Sequence, residues 1–343
     1  MEFVNKTPLV AQLLMGATDD VHRIGMVVAK ATFFISDKEE ASPELDIENP
    51  YPIFLSDQET PLGILPRDDL PREKADVIVL GKAYAPGGRP VKTLEVVAQI
   101  GTETRRLVVF GDRFWLDRGT ISEPKPFTEM ELTYSRAYGG TAWVEIDKES
   151  FVMVCDPVNP LGKGFDALTM AQAMGELYAA PQGYPKLTER RPLPNIEDPQ
   201  NLVTSWEDDP DPVCWTTVPL HFPFLLEEIL KVDAEGGLKI ELGAFQRAHP
   251  SMQFEELVPG TPIIIRGMTK DGNPVFCKVP QWEPKLAVVS DGDTEATVLD
   301  LKLEAVVILV EEGKYYVLFR SIFNFLYRPD IRRKASLFLE RWQ

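Results

Sequence analysis

Apolar residues along this chain fall in short runs rich in β-branched and aromatic side chains, and prolines sit between the runs rather than inside them. Proline locks φ and cannot donate to a sheet ladder, so this punctuation predicts a mainly β protein. Strands are expected over 25–35, 76–84, 93–100 and 105–110, with Ala85-Pro86-Gly87-Gly88-Arg89-Pro90 as a hairpin loop between two of them. A second hairpin is expected over 144–147 and 151–154, and short strands over 262–266, 274–279 and 286–289. The clearest hairpin pairs 301–310 with 315–323 around Glu311-Glu312-Gly313-Lys314. Helical spacing is confined to 166–180, to 224–232, and to the tail after Pro329. In the tail, Ile331, Ala335, Phe338 and Trp342 fall on one helical face, away from Arg332, Arg333, Lys334 and Arg341. The pattern therefore predicts two packed antiparallel β-subdomains, sandwich- or barrel-like, over 1–155 and 223–343. A long irregular segment at 156–222 joins them, with a few short helices.

That irregular segment holds the most specific local chemistry of the chain. Asn159-Pro160-Leu161-Gly162-Lys163-Gly164-Phe165 and Leu193-Pro194-Asn195-Ile196-Glu197-Asp198-Pro199 consist largely of residues that fix backbone shape. Asn159, Pro160, Gly162, Gly164, Pro194, Asn195 and Pro199 are read as loop-shaping. The aromatics Phe165, Tyr178, Tyr184, Trp206 and Trp215 give the segment more apolar side chains than a disordered linker carries.

Composition narrows the function classes. The chain has 343 residues, 44% of them hydrophobic and 26% charged, which is enough for a full globular core. Its net charge of −17 is spread along the sequence and opposes binding to nucleic acid. The longest apolar run, Ala305-Val306-Val307-Ile308-Leu309-Val310, is strand-sized, so no membrane insertion is expected. The first residues lack a basic segment followed by an apolar one, and Cys155, Cys214 and Cys277 are too few and too scattered for a disulfide framework. These features favour the cytoplasm.

Candidate chemistry is sparse. Gly162-Lys163-Gly164 lacks the Ser/Thr and the spaced glycine of a phosphate-binding loop. His22, His221 and His249 are isolated, and Glu207-Asp208-Asp209-Pro210-Asp211 lacks the alternation and glycine of a calcium loop. His249-Pro250-Ser251 predicts a turn or helix start with serine as the cap. No catalytic residue, metal site or cofactor is assigned. The alternative is a β-scaffold hydrolase or carbohydrate-active enzyme that pairs Glu197 or Asp198 with a distant carboxylate.

An ordered series of segments resembles a known family. It runs through Asn5-Lys6-Thr7-Pro8, Val28-Ala29-Lys30-Ala31-Thr32-Phe33 and Ala75-Asp76-Val77-Ile78-Val79-Leu80-Gly81-Lys82-Ala83. Val109-Phe110-Gly111-Asp112-Arg113-Phe114-Trp115 and Tyr134-Ser135-Arg136-Ala137-Tyr138-Gly139-Gly140 follow, then the two loop motifs, Ala248-His249-Pro250 and Pro259-Gly260-Thr261-Pro262. In these the chain resembles the bacterial adaptor, or chaperone, family of the type VI secretion system. The regions 203–220 and beyond Ala287 depart from that pattern. The resemblance implies a non-enzymatic protein that binds a secreted effector, or its PAAR-containing region, in the cytoplasm and aids its loading onto the VgrG spike. A structural part of the secretion machine itself is a further reading. The client surface is expected on 156–219 together with Arg136 and Tyr138, with Phe165, Ile196 and Trp206 as the side chains that would touch it.

Overall fold

The computed structural model describes residues 1–17, 21–117, 119–145, 151–165, 191–219, 230–232, 238–240 and 242–340. Within them the chain is mainly β, and the helical turns are 3-10 segments such as Pro86–Gly88, Tyr134–Arg136 and Pro250–Met252. The largest sheet has seven strands. Its order is Val10–Ala17, His22–Phe34, Lys314–Leu326, Lys302–Leu309, Ala75–Leu80 and Gln253–Phe254, with Glu44–Leu45 also pairing with His22–Phe34. A five-stranded sheet runs Ile196–Glu197, Glu103–Phe110, Thr93–Ile100, Pro262–Arg266 and Val275–Lys278. A four-stranded sheet runs Glu2–Asn5, Arg333–Leu339, Pro284–Ser290 and Thr297–Asp300. Strands from 1–155 and from 223–343 thus share all three sheets.

Pairing is antiparallel throughout the three large sheets except at two places. Ala75–Leu80 runs parallel to Lys302–Leu309, and Glu2–Asn5 runs parallel to Arg333–Leu339. The first parallel pair lies at the centre of the core: Val77, Ile78, Val79, Val306, Val307 and Ile308 are all sealed from solvent. Burial on both faces explains why these strands read as unbroken apolar runs rather than as alternating ones. The expected hairpin forms from Lys302–Leu309 and Lys314–Leu326, and Gly313 closes its turn in the left-handed region at φ 65°.

The structure corrects four local expectations. Residues 76–84 do not make one strand. The chain breaks at Gly81, where a Cβ would come 2.7 Å from the Met268 methyl, and Lys82–Tyr84 leaves to pair with Glu129–Glu131. The loop 85–90 is consequently a crossover between sheets rather than a hairpin loop. Thr93–Ile100 turns instead into Glu103–Phe110 through Gly101 at φ 58°. The tail is a strand, not a helix: Arg333–Leu339 is held on both edges, by Glu2–Asn5 and by Pro284–Ser290. Finally, Leu230–Val232 is a strand paired with Leu238–Ile240. The remainder of the expected 224–232 helix, and all of 166–180, lie outside the described residues.

Candidate functional site

Three motif segments that are distant in sequence meet at one junction. Tyr134–Arg136 forms a 3-10 turn, and after it the chain passes through Gly139 and Gly140 at φ 127° and 135°. Such values are open to glycine and strained for other residues. The loop 156–165 folds over this turn. Asp156 begins it with an Asx turn, its Oδ1 accepting from the N–H groups of Val158 (2.9 Å) and Asn159 (2.6 Å). Burial pushes the Asp156 carboxyl up, against the pull of those two N–H groups.

Asn159 is fully buried, and its amide nitrogen donates to the carbonyls of Tyr134 (2.8 Å) and Tyr138 (2.7 Å). The Gly140 N–H donates back to the Asn159 carbonyl, the Lys163 N–H to Ala137, and the Phe165 N–H to Gly139. Gly162 must be glycine because a Cβ there would lie 2.5 Å from the Asn159 amide and 2.6 Å from the Tyr138 carbonyl oxygen. At Gly164 a Cβ would meet the Pro194 ring at 2.7 Å, which brings the second motif against the first. Pro160 accepts a hydrogen bond from the Thr141 hydroxyl through its carbonyl (2.8 Å).

The second motif is pinned from the other side. The Asn195 N–H donates to the Arg136 carbonyl, and its own carbonyl accepts from the Phe110 N–H, both at 2.7 Å. Its side-chain amide donates to the Phe110 carbonyl at 3.0 Å. Ile196 pairs with Val109 in the five-stranded sheet and bridges to Ala137. Glu197 forms a buried ion pair with Arg113 and accepts the Val203 N–H at 2.8 Å, while Asp198 accepts the Gln200 N–H at 2.8 Å. Burial pushes the Glu197 carboxyl up to about 7, against the Arg113 guanidinium. Both carboxylates of the alternative hydrolase reading therefore hold loop structure.

The candidate residues divide by position. Asn159, Pro194 and Asn195 are buried, and with Gly162 and Gly164 they build the junction. Pro160 and Pro199 are half-buried at its margin. Ile196 is 1% exposed, so its side chain packs inside this chain and offers no surface to a client. Tyr138 is likewise buried, in a small cluster with Trp115, Leu193 and Val203. Trp206 is half-buried against that cluster, Phe165 is half-buried, and Arg136 is partly exposed with Nη2 3.3 Å from Glu131. Around them Val158, Leu161 and Leu202 project into solvent. Sequence reasoning missed Asp156, whose Asp-x-x-Asn spacing is the readable sign of an Asx turn, and assigned no role to Arg113 or Trp115.

Among the described residues no group of three or more His, Cys, Asp and Glu side chains is arranged to hold a metal ion, and no helix is long and apolar enough to cross a membrane. What these residues define is a mainly β scaffold with a hydrogen-bonded loop junction and an apolar margin. The chain belongs to the DUF2169 family, described as uncharacterized proteins conserved in bacteria, whose model matches residues 20–320. No curated protein and no solved structure matches it.

Proposed function

We propose that this protein is a non-enzymatic adaptor of the type VI secretion system, which binds an effector or its PAAR-containing region and aids its loading onto the VgrG spike. The observation that carries the reading is the convergence of three resemblance-bearing segments on one junction, with exposed apolar side chains at Val158, Leu161 and Leu202 along its margin. A docking surface needs such a margin on a backbone that does not move, because ordering a loose loop on binding costs free energy. Phe165 and Trp206, both half-buried, complete the margin. The net charge of −17 suits steering towards a basic client.

The test is copurification with the PAAR-containing effectors and VgrG spike proteins of the bacterium that encodes this chain. Wild type and the Leu161→Asp and Trp206→Ala variants are compared, each checked for native thermal unfolding. The expected result is retention by wild type and at least a tenfold loss in both variants. Failure of wild type to retain any PAAR-containing or spike protein would overturn the adaptor reading. Unchanged retention by both variants would overturn the placement of the surface.

A further inference from the structure

We infer that the protein carries a second docking site, a small apolar pocket that takes one lysine side chain of a basic polypeptide, at the carboxyl ends of the two central parallel strands. The pocket encloses about 110 Å3. Leu80 and Leu309, paired in register where Ala75–Leu80 runs beside Lys302–Leu309, lie buried at its floor. Pro61 and Leu62 add apolar wall. Glu311 and Glu312, in the turn between Lys302–Leu309 and Lys314–Leu326, complete the lining. No lysine, arginine or histidine is among the described lining residues.

The two carboxylates are positioned by tyrosines rather than neutralised by cations. The Tyr84 hydroxyl lies 2.8 and 2.9 Å from the two oxygens of Glu311, and Glu312 accepts from the Tyr51 hydroxyl. Burial, reinforced by the neighbouring glutamate, pushes both phenols up, so each hydroxyl stays a donor. The Tyr84 side chain is buried, and the Tyr51 ring packs on Tyr316 at 5.3 Å, which fixes the base of both donors. The lysines that adjoin the pocket in sequence are engaged elsewhere, Lys82 with Glu129 at 2.8 Å and Lys314 with Asp46 at 2.6 Å. Lys270 lies over the Tyr84 ring at 5.6 Å and makes no ion pair with either pocket glutamate.

An aliphatic floor beneath two carboxylates without ion-paired cations fits a side chain that is apolar along its stem and charged at its tip. Each carboxylate has its own tyrosine donor. That suits the compact ammonium of lysine, which offers three N–H groups in different directions, better than the planar fork of arginine, which matches a single carboxylate. Pro61, Glu311 and Glu312 are exposed, so a polypeptide that carries the lysine has access to the rim. The net charge of −17 draws a basic partner towards the protein, and the pocket supplies the local contact. The adaptor reading places its surface at the loop junction, and this inference does not rest on it.

The experiment is fluorescence anisotropy with the full chain and a short rhodamine-labelled peptide alternating lysine with serine and alanine. One arm replaces lysine by diaminopropionate, which keeps the ammonium and shortens the stem to a single carbon. A second replaces lysine by arginine, and a third offers cadaverine, a free alkyl diamine, as competitor. The expected result is saturable binding of the lysine peptide, weakened about tenfold or more for the diaminopropionate peptide and in the combined Glu311→Gln and Glu312→Gln variant. Glu256→Gln removes an exposed carboxylate outside the pocket and is expected to leave the affinity unchanged. Absence of binding, an unchanged affinity in the combined variant, or an equal loss in Glu256→Gln would each overturn the inference. So would equal binding of the diaminopropionate or arginine peptide, or displacement by cadaverine at concentrations as low as those of unlabelled peptide. The peptide arms use the wild-type protein, so they decide the matter even where the combined variant fails to fold.

Discussion

The side-chain amide of Asn159 donates to the main-chain carbonyl of Tyr138 at 2.7 Å with no solvent access, and the same nitrogen reaches the Tyr134 carbonyl at 2.8 Å. One residue thereby ties the loop 156–165 to the turn at Tyr134–Arg136. Asn159→Ala takes this donor from the buried Tyr138 carbonyl and leaves the Tyr134 carbonyl with the Ala137 N–H alone, and it is expected to cost about 1–3 kcal/mol. Asn159→Asp, which puts a carboxylate where both neighbours are acceptors, is expected to cost more than the alanine variant. Urea denaturation of the three proteins gives the order directly.

The close fit around Gly162 makes a purely steric prediction. A Cβ there has the Asn159 amide, the Tyr138 oxygen and the Ala137 oxygen within 2.8 Å, and two of these are backbone atoms that cannot rotate away. Gly162→Ala is expected to destabilise by about 1–3 kcal/mol through overpacking. Gly16 has nothing within 4 Å of its Cβ position, so Gly16→Ala is the control and is expected to leave the thermal midpoint unchanged. Equal midpoints for both variants would mean that the junction is loose.

How much of this could be read from the chain differs from residue to residue. The hairpin around Gly313 was legible because two long apolar runs flank a compact glycine turn, a local signal. The motifs at 159–165 and 193–199 were legible as shape, because proline, glycine and asparagine constrain the backbone wherever they occur. The depth of Ile196 was not, since its burial depends on Val109 and Ala137, which arrive from far along the chain. The tail misled for another reason. Ala335 and Phe338 satisfy a helical stripe, while Ala335, Leu337 and Leu339 satisfy the strand alternation equally well. The choice is made by edges at Glu2–Asn5 and Pro284–Ser290, which no local window contains.

His249 supplies a pH dependence whose sign follows from its hydrogen bond. It is the cap of Pro250–Met252, a role the sequence had suggested for Ser251: its Nδ1 accepts the Ser251 N–H at 3.2 Å. Burial lowers its pKa from the ordinary value of 6.5, with weaker opposition from Asp198 and Asp211, and an imidazolium could not accept that bond. The folded state therefore binds the proton less readily than the unfolded state. Stability from this group is fully present above pH 6.5 and is lost as pH falls through the window between 6.5 and the lowered native value. An NMR titration should place the His249 midpoint below 6.5, and His249→Asn should flatten the stability profile across that window. A midpoint at or above 6.5 would refute the buried-acceptor role.

Lys30 and Asp68 form an ion pair at 2.6 Å with side-chain exposures of 0% and 1%. The ammonium also donates to the Pro52 carbonyl at 2.8 Å and lies 4.1 Å from the Phe54 ring centroid and 4.3 Å from that of Tyr316. Lys30→Met removes the cation and leaves the Asp68 charge sealed in the sheet interior. The expected loss is about 3–5 kcal/mol, read from chemical denaturation. Lys92, whose partner Glu123 is exposed, is the control, and Lys92→Met is expected to unfold with wild type.

The terminal strand permits a test that separates its two possible geometries. In Arg333–Leu339, Ala335 and Leu337 are sealed from solvent, whereas Phe338 and Leu339 are only partly buried. A helix with Ile331, Ala335 and Phe338 on its inner face would instead leave Leu337 off that face. Leu337→Ala opens a cavity between the four-stranded sheet and the core, and it is expected to cost about 2–5 kcal/mol. Phe338→Ala removes the larger side chain from the less buried site and is expected to cost less than Leu337→Ala. That order, measured by urea unfolding, follows from strand alternation. The reverse order would favour the helical face and would separate Glu2–Asn5 from the strand it pairs with among the described residues.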